Sequence, residues 1–125
     1  MIQMEPVEGG GVRDAHGVWF ESPRALLMSS DAGGLGWCGC GDPDSVLDLV
    51  RRYLETTAWA WEDWGARHQE RNAHAQMDQD AWMLLEYVCD AAGWTEHGGS
   101  VGGAWLTEEG RHALSILQQP VPEEP

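Results

Sequence analysis

At 125 residues, 42% of them apolar, the chain is long enough for one domain with its own core and too apolar for a disordered segment. Twenty-one acidic residues against seven basic ones give a formal net charge of −14, which repels phosphate backbones and anionic membranes and leaves a basic protein, a metal ion or plain solubility as its use. No run approaches the ~18 apolar residues of a membrane span, the start of the chain shows neither the basic nor the apolar part of a secretion signal, and three cysteines do not make a disulfide framework. A cytoplasmic protein with free or metal-bound thiols is the expectation.

In chain order, residues 1–16 are polar, glycine-rich and acidic and read as a flexible, poorly packed arm. Val18, Trp19 and Phe20 favour a short strand over 17–21, and a second is expected over 24–29, with Ser22-Pro23 between them. Five glycines between Gly33 and Gly41 mark a loop. Asp42 is a good N-cap, Pro43 suits the first helical position and Asp44 complements the helix dipole. From there Val46, Leu47, Leu49, Val50, Tyr53 and Leu54 form one apolar stripe, predicting a helix over 43–56. A second helix is predicted over 58–73, with Trp61, Trp64 and His68 on one face and Gly65 costing ~1 kcal/mol relative to alanine. A third covers 79–92, capped by Asp78 or the residue before it, with Ala81, Leu84, Leu85, Val88 and Ala92 inward and Gly93 ending it in the left-handed region.

The stretch "TEHGGSVGGAWLT" over 95–107 then reads as two short strands around a glycine-rich turn, flanked by Trp94 and Trp105, which with Trp82 are expected to pack on one another. Thr107 caps a last helix with Ala113, Leu114 and Leu117 facing inward, and 119–125 is a proline- and glutamate-rich tail. The expectation is one domain over 17–118, mainly α with a small β component.

The order from residue 78 to 118, with a helix, Gly-Trp-Thr-Glu, a glycine turn, Ala-Trp-Leu-Thr, then Glu-Glu-Gly-Arg and a helix, resembles the winged-helix domain. With the helices at 43–56 and 58–73 in front of it, the resemblance implies a winged-helix-like helical domain over 42–118 with a glycine-rich β-hairpin wing. It also implies a DNA-binding regulator, and the residues oppose that. Between 78 and 118 stand seven acidic residues and one base, Arg111, and the helix in the recognition position carries Asp78, Asp80, Glu86 and Asp90 with no cation. Phosphate positioning and base readout depend on Arg, Lys, Asn and Gln, so direct DNA binding is not expected. All seven basic residues are arginines and lysine is absent, a bias that avoidance of AT-rich codons produces. With "CGCGDP" early and "TEHGGSVGG" late, the chain also resembles small proteins of actinobacterial phages, which fits a high-GC bacterium or its phage.

Two clusters stand out. Cys38 and Cys40 sit in the glycine loop and, with Cys89 and His97, form a candidate structural zinc set, tetrahedral N/S coordination being what such sites use; as the competing reading, Cys38 and Cys40 carry no ligand and Cys89 is a core thiol. Glu109 and His112 make one Glu-x-x-His where a di-iron bundle needs two, and no catalytic motif is present. Trp59 and Trp61 lie about 200° apart around a helix, so with Trp64 they cannot all point inward, and tryptophan is a common interface anchor. These three, ringed by Glu55, Glu62 and Asp63, are the candidate binding surface. The function expected is a non-catalytic protein–protein interaction or assembly module whose partner is a second copy or a basic host protein. The alternatives are an acidic inhibitor that mimics nucleic acid and a winged-helix regulator in which Arg51, Arg52, Arg67 and Arg71 form one basic face.

Overall fold

The longest element is a helix, α2 (Pro43–Glu62), and the helices and hairpin that follow it in the chain pack against it. The computed structural model describes residues 2–30, 32–36, 43–62, 68–97 and 104–119. In chain order the elements are β1 (Glu5–Pro6), β2 (Val12–Arg13), β3 (Trp19–Phe20), α1 (Pro23–Ser29), α2, α3 (His68–Ala75), α4 (Gln79–Ala91), β4 (Thr95–Glu96), β5 (Trp105–Leu106) and α5 (Glu108–Leu117). The protein is mainly helical with a small antiparallel β component, a meander β1-β2-β3 and a hairpin β4-β5. No helix among the described residues is long and apolar enough to cross a membrane.

The first sixteen residues, expected as a poorly packed arm, instead contribute to the core. Ile2 and Val12 are buried in it, and β2 pairs Val12 with Pro6 on one side and with Phe20 on the other. Pro6 sits on the edge strand, where its missing N–H leaves no ladder bond unmade. The turn between β2 and β3 is organised by Asp14, whose carboxylate accepts from the backbone N–H groups of His16 and Val18 and from Ser30 Oγ at 2.6 Å. The Ser30 hydrogen bond, joined by those from the backbone, holds the Asp14 carboxyl below its ordinary value.

Residues 24–29, expected as a strand, are helical. Ser22 Oγ accepts from Ala25 N at 3.2 Å and Pro23 takes the first turn, so Ser-Pro is a helix start here rather than a turn between strands. One short turn of apolar residues, Leu26, Leu27 and Met28, is buried by α1.

The helix boundaries expected near residue 57 also move. α2 runs unbroken through Thr56 and Thr57, both buried, so Trp59 and Trp61 belong to it and not to a second helix. Its inward stripe is the expected one: Leu47, Val50, Tyr53 and Leu54 are buried, with Val46 and Leu49 partly so. α3 is correspondingly short. Arg52 on α2 donates from Nη1 to the carbonyls of Ala75 and Gln76, both at 3.0 Å, which satisfies the end of α3 with a cation, as its dipole favours.

α4 begins at the expected cap, with Asp78 Oδ1 accepting from Ala81 N at 2.8 Å. It ends in a Schellman arrangement: Trp94 N donates to Cys89 O, Gly93 N to Asp90 O, and Gly93 has φ +80°. Its buried stripe differs from the expected one. Trp82, Leu85, Glu86 and Cys89 face inward, and Leu84 is 65% exposed. The helix is turned by about one residue, ~100°, because Trp82 seats on Tyr53, ring centroids 4.6 Å apart.

β4 and β5 pair Thr95 with Leu106 and Glu96 with Trp105. Thr107 caps α5, accepting from Gly110 N at 3.1 Å while its hydroxyl donates to Gly93 O at 2.6 Å. Trp94, fully buried, donates from Nε1 to Gly33 O at 2.9 Å and so fastens the hairpin base to the segment after α1. From α5, Ala113, Ile116 and Leu117 enter the core.

Candidate functional site

Cys38 and Cys40 lie outside the described residues, as do Asp63, Trp64 and Arg67, and the side chains of Trp61 and Glu62. Cys89 is a free thiol with no exposed surface, and burial pushes its pKa up, away from the thiolate that a metal needs. His97 is exposed beyond β4. Joining Cys89 to His97 through one metal would require the thiol to leave the core. Among the described residues no three His, Cys, Asp or Glu side chains are grouped to hold a metal ion.

Trp59 is half-buried and stacks face to face on His74, centroids 4.2 Å apart and planes at 3°, closing the seam between α2 and α3. Glu55, proposed as part of a ring around the tryptophans, accepts from Arg51 Nη1 at 3.0 Å and from Gln118 Nε2 at 3.4 Å. It therefore serves the α2–α5 seam.

The arginines of α2 and α3 form no open basic face. Arg51 bridges Asp48 at 2.6 Å and Glu55 at 3.0 Å, and Arg52 pairs with Asp48 at 3.2 Å besides ending α3. The Arg51 hydrogen bond holds the Asp48 carboxyl below its usual value. Arg71 is 5% exposed, and its Nε and Nη1 have no hydrogen-bond partner.

What the fold does present is the outer side of α4. Leu84 is 65% exposed and Tyr87, one turn on, is 71% exposed, with Asp80 and Asp90 exposed at either end. Beside Tyr87 runs a groove of about 180 Å³ lined by Met83, Glu86, Tyr87, Asp90 and His97. Glu86 contributes its wall from the buried side of the helix. Behind Glu86 lies a buried polar cluster, with Arg71 and Tyr53 close enough for their charges to be felt. The Tyr53 hydroxyl lies beside Thr57 and Thr95, and its pKa is raised, first by burial and then by Cys89 and Glu86.

Sequence reasoning placed Leu84 inside and overlooked this face. The signal was present: Trp82, Leu85, Glu86 and Cys89 also repeat at three and four. Reading Glu86 as polar hid the second stripe. No family model, curated protein or solved structure matches this chain.

Proposed function

We propose that the protein is a non-catalytic protein–protein interaction module of winged-helix-like design, in which the helix that would read DNA has become an acidic docking face for a protein. The observation that carries this reading is the pair Leu84 and Tyr87, two large apolar side chains set out to solvent one helical turn apart between Asp80 and Asp90. Exposed apolar anchors with a polar rim are how protein interfaces are built. The order α2, α3, α4, hairpin, α5 supports the winged-helix-like reading, and α4, with Asp80, Glu86 and Asp90 and no cation, repels a phosphate backbone. The partner would be a protein with a basic rim in a high-GC bacterium.

The test is capture from extract of such a bacterium by the immobilised protein, compared with a Leu84→Ser, Tyr87→Ser variant whose helix content is checked by circular dichroism. A partner held by the wild type and released by the folded variant is the expected result. Retention of every captured protein by the variant refutes the docking face. Added salt should weaken capture only in part, because the apolar anchors are not screened, whereas a nucleic-acid mimic would release its partner.

A further inference from the structure

We propose that the groove beside α4 receives an arginine side chain from a basic protein partner. This rests on the reading of α4 as a docking face and names the group that the face recognises. Glu86 is the starting point. Its side chain is more than nine-tenths buried, it lines the groove, and no hydrogen bond or ion pair engages it among the described residues. Arg71 feels Glu86 through space, with no hydrogen bond or ion pair between them. Glu86 lines the groove, and the groove is the route by which a donor can arrive from outside.

Three of the other four lining residues fit a guanidinium, the fourth being the exposed His97. Asp90 stands four residues from Glu86, on the same side of the helix, and supplies a second carboxylate. The exposed Tyr87 ring gives a planar cation a face to stack on, and Met83 offers an apolar wall to the methylene stem. Two carboxylates beside an aromatic ring favour the planar fork of arginine over the point charge of lysine. A second copy of this chain is a poor donor, since two bodies of charge −14 repel.

The test titrates Nα-acetyl-arginine amide into isotopically labelled full-length protein, followed by NMR, with the acetylated amides of lysine and citrulline as comparison arms. Saturable shifts centred on Glu86, Tyr87 and Asp90 are expected, with a Kd on the order of 1 mM for so small a probe. Lysine amide should bind roughly threefold or more weakly, and citrulline amide, which lacks the charge, not measurably. Glu86→Gln should weaken binding about tenfold, but it also strips Arg71 of its nearby countercharge. Asp90→Asn and Tyr87→Ala, both at exposed positions, are therefore measured alongside and should each weaken binding roughly three- to tenfold at unchanged melting temperature. Equal binding of the three amides, unsaturable shifts spread over the acidic surface, or wild-type binding by both Asp90→Asn and Tyr87→Ala each overturns the proposal. Leu84→Ser should leave the amide's affinity unchanged. If the arginine arm fails while the Leu84→Ser, Tyr87→Ser variant still loses its captured partner, the docking face stands without its arginine site; if the arm succeeds and that variant keeps every captured protein, the reverse holds.

Discussion

Replacing Gly110 by alanine sets two physical arguments against each other. Gly110 lies inside α5, and helix propensity alone makes Gly→Ala there worth about 1 kcal/mol of added stability. The structure predicts the opposite sign. A Cβ at Gly110 would run into the Trp94 carbonyl oxygen and stand 2.8 Å from its carbon. That backbone has no room to retreat: Trp94 O accepts from Thr107 N at 3.0 Å, Trp94 N donates to Cys89 O at 2.9 Å, and the indole is held on Gly33 O. Relief requires α5 to lift, withdrawing Ala113, Ile116 and Leu117 from the core. Overpacking against movable side chains costs about 1–3 kcal/mol, and against fixed backbone the upper end applies. With the propensity gain subtracted, Gly110→Ala should destabilise by about 2 kcal/mol, lowering the melting temperature by roughly 8 °C. The assay is thermal and urea unfolding followed by far-ultraviolet circular dichroism, with an unchanged urea slope showing that the unfolded state is the same. Ser115→Ala, at an exposed site on the same helix, is the control and should shift stability by no more than about 0.5 kcal/mol. A Gly110→Ala protein as stable as wild type, or more stable, refutes the close approach of α5 to Trp94.

The rotation of α4 is tested by neighbouring truncations: Leu85→Ala should cost about 2–4 kcal/mol and Leu84→Ala less than about 0.5 kcal/mol in urea unfolding, and the reverse order would restore the orientation expected from sequence. Asp78→Ala should lose about 1 kcal/mol by removing the α4 cap, read in the same assay. The folded pKa of Asp14 lies below the ordinary 3.8, so its contribution is complete above that value and is lost as pH falls through the folded one; the stability advantage of wild type over Asp14→Asn should shrink below about pH 4, and an advantage that stays flat there would contradict the Ser30–Asp14 hydrogen bond. In a background with Cys38 and Cys40 replaced by serine, Cys89 should react with a thiol reagent only when the protein unfolds, and rapid labelling under native conditions would place it outside the core.

Those features that local chemistry decides were legible in the sequence. Asp78, Gly93 and Thr107 mark helix ends by bonds made within a few residues, and each does so in the structure. Where the outcome depends on distant partners, the sequence reading erred. Thr56 and Thr57 looked like a break because β-branched residues weaken an isolated helix, yet both are buried and α2 continues through them. Residues 24–29 are too short for periodicity to separate strand from helix, and Ser22 with Pro23 decided the matter. The glycines before Val12 looked like slack, but Gly9, Gly10 and Gly11, all at positive φ, reverse the chain so that β2 can pair with β1. The candidate face was hidden because it depends on how α4 is rotated about its axis. That rotation is set by the contact of Trp82 with Tyr53, across 29 residues of chain. The tryptophans proposed as anchors from their angular spacing gave no view of it, since Trp59 stacks on His74.

Thr107 gives the joint at the end of α4 a mechanical character. One residue accepts from the start of α5, donates to the glycine that closes α4, and holds Trp94 O through its own N–H. The two helix ends thus share a single clamp, and α4 cannot turn about its axis without carrying α5 and its core residues with it. The docking face proposed on α4 is therefore held in one shape by the fold itself. Association through it would incur little ordering entropy in this protein, and selectivity between partners would fall to the match of side chains rather than to any folding of the face around them.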